Sequence, residues 1–171
     1  SPLVAGVLLL GLAGGLRAGD VVKDGAGTDL AAGASWGGTA PGSSDTAVWQ
    51  SASLGAGLTL NSAAEWEGIR VDGAASAIAI SGSGALTLGA GGIDTNASGI
   101  DFSISNNIVL NGAQTWQAGS GTALTASRGI PGTGGLRLGW VVPMMTFSDL
   151  LTADPAIMVT GVSLAKVTAG R

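Results

Sequence analysis

Among its 171 residues the chain has no cysteine, no histidine and no tyrosine. Without cysteine there is neither a disulfide framework nor thiolate chemistry. Without histidine the commonest general base and metal ligand is gone. Charge is scarce as well. Asp, Glu, Lys and Arg together make 11% of the chain, where an ordinary globular domain carries about 25%. The formal charge of −4 offers no basic surface to a phosphate backbone, so no nucleic-acid partner is expected.

Glycine is abundant, with 31 residues, while aromatics make only 4%. The chain also lacks the polarity and net charge that mark disorder. Apolar side chains must then be buried at regular intervals, with Gly, Ser, Thr, Asn and Ala between them, and that composition is β-rich. This length suffices for one domain with a real core.

Leu3 to Leu16 (LVAGVLLLGLAGGL) is uncharged and apolar, and Arg17-Ala18-Gly19-Asp20 follows. It is shorter than the roughly 20 residues a spanning helix needs. Its length suits a secretory signal core over residues 1–18, with cleavage after Ala18 and Leu16 and Ala18 at the −3 and −1 places. A buried core helix is the alternative. A start at Ser1-Pro2, with no Met and no basic segment, reads as clipped.

From Asp20 to about Ser44 the sequence is rich in turn residues, Pro41-Gly42 above all. From Ala47 short alternating runs recur: AVWQ, GLTL, WEGIRV, AIAI, ALTL, IDFSI, NIVL, QTWQA and TALT. Period-2 alternation bounded by Gly, Asn and Ser predicts half-buried strands. A longer period organises them. Leu58/Leu60, Ile78/Ile80, Phe102/Ile104 and Leu124 form one lane. Trp49, Ile69/Val71, Ile93 and Trp116 form a second, and Leu86/Leu88 with Ile108/Leu110 a third. Matching phases across three lanes predict an all-β, right-handed parallel β-helix (a β-solenoid) over residues 19–135, with three short strands in each coil of about 22 residues. A β-sandwich would not need those phases. A single coil buries too little to offset its own ordering, so stability arrives only when coils stack.

From Gly132 the pattern breaks. GWVVPMMTFSDLLTADPAIMVTG has long apolar runs and little glycine, so residues 136–171 read as an irregular tail or cap. Ser148 is expected to cap a short helix that Pro155 stops.

ASWGGTAPGSSDTAVW (34–49), EWEGIRV (65–71), ALTLGAGGID (85–94) and NIVLNGAQTW (107–116) occur in an order that resembles bacterial autotransporter-associated β-strand repeat proteins. The resemblance covers residues 33 to 125. It implies an exported, extracellular or cell-surface β-helix with a structural role, and it brings no catalytic residues. No translocator barrel is visible within this chain, and GGLRLGWVVPMM departs from the repeats, so the sequence reads as the N-terminal fragment of a longer one.

Few residues invite a chemical reading. Gly33-Ala34-Ser35-Trp36-Gly37 fits the nucleophile-elbow pattern G-x-S-x-G, but no histidine exists to take the serine proton, and a turn fits better. Glu65 and Glu67 should share a strand face with Arg70 on the other, and Asp72 and Asp94 could stack on successive coils. Such carboxylates could serve a polysaccharide-cleaving enzyme or bind Ca²⁺, although a solvated outer face is the simpler account. GAGGID reads as a turn, and Asn106, Asn107 and Asn111 as corner residues. Asn96-Ala97-Ser98 is a glycosylation sequon. Trp36 and Trp66 could stack on sugars, while Trp49 and Trp116 fall in an inward lane.

The sequence therefore predicts no catalytic, cofactor-binding or metal-binding residues, no cofactor and no small-molecule substrate. The expected role is a non-enzymatic scaffold, secreted or at a bacterial cell surface. The alternatives are an adhesin-like module with a polysaccharide or cell-surface partner, and an enzyme fragment acting on polysaccharide.

Overall fold

A computed structural model describes residues 19–130, 135–140, 144–148, 157–159 and 167–168. The expected signal segment lies outside them, as does the short helix expected beyond Ser148. Among the described residues fourteen strands follow one another: β1 (Gly19–Val22), β2 (Asp45–Trp49), β3 (Leu58–Thr59), β4 (Ala64–Val71), β5 (Ile78–Ser81), β6 (Leu86–Thr95) and β7 (Phe102–Ile104), then β8 (Ile108–Leu110), β9 (Gln114–Ala118), β10 (Ala123–Ala126), β11 (Leu136–Trp140), β12 (Met144–Ser148), β13 (Ile157–Val159) and β14 (Val167–Thr168). One 3₁₀ turn, Gly33–Trp36, interrupts the sequence of strands.

Every strand pair is parallel, and each strand meets its counterpart one coil later. One sheet runs β1-β2-β4-β6-β9-β11-β13, with β8 beside β6, and the other runs β14-β12-β10-β7-β5-β3. Leu86 lies opposite Ile108, 22 residues on, and Ile78 opposite Phe102, 24 residues on. The chain is thus a parallel β-solenoid, and its coil length and three lanes agree with the alternation in the sequence. The stack does not stop at residue 135, because β11 to β14 extend both sheets in register.

The core is one continuous column. Leu58, Leu60, Ile78, Ile80, Phe102, Ile104 and Leu124 line one lane, all at most 2% exposed. Trp49, Ile69, Val71, Ile93 and Trp116 line the second, and Trp66, Leu86, Leu88, Ile108 and Leu110 the third. Lane membership is as expected, but one register differs. Leu58 pairs with Ile80 rather than Ile78, a shift of two residues that keeps every side chain on its own face.

GAGGID is not a turn. β6 runs straight through it from the third lane into the second. Between Trp66 and Gly68 of β4 there is one residue, Glu67, whereas Gly89, Ala90 and Gly91 stand between their partners Leu88 and Gly92. The surplus forms a bulge that bends the strand around the corner. Glycine is required here. Gly92 has φ +61°, and a Cβ on it would lie 2.2 Å from the Thr115 carbonyl oxygen. A Cβ on Gly89 would meet the Glu67 carboxylate.

β4 turns the same corner, and its alternation flips there. Trp66 and Ile69 are both buried although three residues apart. Arg70 therefore points outward, on the same outer surface as Glu65 and Glu67 and not on the opposite face. Asp94 pairs in register with Arg70, so Asp72 and Asp94 do not stack.

Candidate functional site: where the polar side chains go

On the second lane's outer face Asp20 and Asp72 form a cluster around Arg70. Its guanidinium donates to both Asp20 carboxylate oxygens, Nη1 at 3.1 Å and Nη2 at 2.8 Å. Its Nε donates to Asp72 at 3.2 Å. These hydrogen bonds, Asp20's first, raise the Arg70 pKa against the opposing effect of burial, so the group stays cationic. Asp20 sits on β1 and Arg70 on β4, so the pair reaches across β2. Beneath it is Val48, which alternates outward yet is 0% exposed and stands apart from the core cluster. Val48 is the register partner of Arg70 on the strand that the bidentate fork spans.

Six other acids hold backbone. The Glu67 carboxylate accepts from the Gly91 N–H at 3.1 Å and pins the bulge. Asp24, Asp29 and Asp94 each accept from the backbone N–H two residues on, at 2.9 to 3.0 Å. Asp45 takes the Gly42 N–H at 2.9 Å. Asp101 reaches a coil ahead to the Ala123 N–H at 2.8 Å. Among the described residues no three His, Cys, Asp or Glu side chains are grouped to hold a metal.

Ser35 of the G-x-S-x-G match is 1% exposed, lies in the 3₁₀ turn, and donates its hydroxyl to the Asp29 carbonyl at 2.6 Å. It is a buried turn residue with no path to a substrate. Four of the five tryptophans are interior too. Trp36, Trp49, Trp66 and Trp116 are 6%, 0%, 1% and 0% exposed, so the alternative of sugar-stacking platforms at Trp36 and Trp66 is excluded. Trp36 meets Trp49 edge-on at 5.4 Å and Trp66 at 5.7 Å, closing the first coils with an aromatic cluster. The indole nitrogens of Trp36 and Trp49 donate to the carbonyls of Leu30 and Leu54.

Among the interior polar residues, Lys23 escapes the sequence reading and Asn106 escapes it in part. Lys23 is 1% exposed; its ammonium donates to the Asp24 and Ala26 carbonyls and pairs with the Asp24 carboxylate at 3.5 Å. Burial lowers its pKa, and Asp24 only partly opposes that. A signal is present, since Lys23 continues the inward parity of Val21. Asn106 is a corner residue, as expected, but its side chain is buried and acts across coils. Its Nδ2 donates to the Gly84 carbonyl at 2.8 Å and to the Leu60 carbonyl at 2.9 Å, 22 and 46 residues earlier.

The first lane's outer face is different, being uncharged over several coils. Thr59, Ser81, Ser103 and Ser105 each donate a hydroxyl to a carbonyl of the preceding coil, at 3.1 to 3.5 Å. Thr125 lies in register beneath Ser103.

No family model matches the chain, and neither the curated proteins nor the solved structures give a significant match. Among the described residues no helix is long and apolar enough to cross a membrane.

Proposed function

We propose that the chain is a non-enzymatic scaffold displayed outside a bacterial cell, a passenger-type β-helix of the autotransporter-associated β-strand repeat kind. The observation that carries this reading is the commitment of the polar side chains to the stack itself. Arg70 ties β4 to β1, Asp101 and Asn106 tie neighbouring coils, and Glu67 fixes a corner. Such a body transmits its own regularity and little else. The quoted phrases that resemble the repeat family, and the apolar run before Asp20, add support for export.

A second reading is an adhesin-like module that holds a neutral polysaccharide. The uncharged hydroxyl face of Thr59, Ser81, Ser103 and Ser105 favours it, because a neutral polyhydroxylated partner meets no unpaired charge there. Expressing the native gene with an epitope tag and shaving intact cells with protease tests display. Surface loss of the tag is expected, and a protected cytoplasmic tag would sink the scaffold reading. Titrating the purified chain with neutral glucans and mannans separates the second reading, which needs saturable binding lost on Ser103→Lys.

A further inference from the structure

We propose that Asn111-Gly112 is a site of slow, enzyme-independent deamidation, converting the corner between β8 and β9 into aspartate and isoaspartate. The chemistry needs three things: a reachable side-chain amide, a following backbone nitrogen free to attack it, and no Cβ on that following residue. Asn111 is exposed. Its own N–H is anchored to the Leu88 carbonyl at 2.8 Å, which keeps the residue at the rim of the sheet. The next N–H, that of Gly112, carries no hydrogen bond among the described residues. Gly112 has φ +108°, and among the described residues no atom lies within 4 Å of the place where a Cβ would sit, so none of them covers the corner.

The other asparagines each fail at one of these points. Asn106 is 1% exposed and its amide nitrogen is held by two carbonyls. Asn107 is followed by Ile108, whose N–H is already given to the Gly129 carbonyl at 3.2 Å. Asn61 and Asn96 are exposed, but Ser62 and Ala97 follow them, and a Cβ at that position crowds the attack.

The step balances with water as the only reagent. The Gly112 nitrogen attacks the Asn111 Cγ, a C–N bond forms, and ammonia leaves with the amide proton. Water then opens the succinimide at either carbonyl. One opening leaves an ordinary aspartate in place of the asparagine. The other leaves isoaspartate, which routes the main chain through the former side chain. Both add a negative charge to a neutral corner. Isoaspartate also lengthens the backbone between Leu110 and Gln114, where the coil must close onto the buried Trp116.

The test incubates the folded chain in mildly alkaline buffer, with a urea-unfolded sample beside it, and follows both by peptide mapping and isoaspartate-specific methylation. Asn111 is expected to gain one mass unit before any other asparagine, with a methyl-acceptor signal that Asn111→Gln abolishes. Asn106 and Asn107 should convert only in urea. An Asn111 that keeps its amide in the fold while its urea-treated counterpart converts would overturn the proposal. So would a folded-state signal that survives in Asn111→Gln.

Discussion

Arg70 and Asp20 are 50 residues apart in sequence and joined by two hydrogen bonds, at 3.1 and 2.8 Å, over the intervening strand β2. The contact matters for where the stack begins. β1 has a single described neighbour, β2, and an edge strand held by one ladder is the first to fray. The Arg70 fork gives β1 a second attachment, two strands away.

Arg70→Ala should therefore loosen the first coil more than its exposure suggests. Both partners are more than a third exposed, at 37% and 50%, so solvent screening limits the pair itself to about 0.5–1 kcal/mol. Amide exchange should quicken in β1 and stay unchanged in β7. The difference from the parent in urea unfolding should shrink near 1 M salt, where the screening length is about 3 Å. Identical exchange in β1 with and without Arg70 would remove the role assigned to this pair.

Gly92 and Gly99 separate backbone strain from steric conflict. Both have positive φ, +61° and +63°, but only Gly92 would place a Cβ against backbone, 2.2 Å from the Thr115 oxygen, whereas Gly99 faces open space. Gly99→Ala should cost about 1–2 kcal/mol, the left-handed penalty of an L-residue. Gly92→Ala adds a clash that the β9 ladder cannot yield to, and about 3 kcal/mol or more is expected. Paired urea titrations measure the gap, and equal midpoints would show that the bulge can relax.

The contrast between those glycines explains how far the sequence can be read. Alternation in AIAI and ALTL places Ile78, Ile80, Leu86 and Leu88 inside, where the structure has them, because a half-buried strand has a fixed period of two. GAGGID carries no such period, and glycine runs fit a turn and a bulged strand equally well. Only the facing residue, Glu67, decides between them. The same corner in β4 puts Arg70 on the outer surface, since the parity argument fails wherever a strand changes lane. The facing of Trp66 is illegible for that reason too. Asn106 is legible as a corner, but its two carbonyl partners lie in earlier coils and no local pattern announces them.

Trp66 should be costly to truncate. It is 1% exposed and packs against Trp36 at 5.7 Å and Trp49 at 6.4 Å. Trp66→Ala is expected to lose about 3–5 kcal/mol, and Trp66→Phe markedly less. Near-ultraviolet dichroism should fall for both variants, since the edge-on ring pair disappears. A neutral Trp66→Ala in thermal unfolding would mean that the aromatic cluster is not part of the cooperative core.

Lys23 provides a pH test that the composition makes unusually clean. Its folded pKa lies below the ordinary 10.5 because burial disfavours the ammonium. In the window between the lowered value and 10.5, the unfolded chain binds more protons than the folded one. Stability must then rise with pH across that window, and the penalty carried at neutrality is relieved. With no cysteine and no tyrosine, few other groups titrate there; Lys166 and the α-amine are the ones to control. Melting temperatures from neutrality to pH 10.5 should climb in the parent and in Lys166→Met. Lys23→Met should flatten the climb, whatever its offset at neutral pH from leaving the Asp24 and Ala26 carbonyls without their donor. A slope unchanged in Lys23→Met would place the titrating group elsewhere and remove the buried ammonium from the account of the first coil.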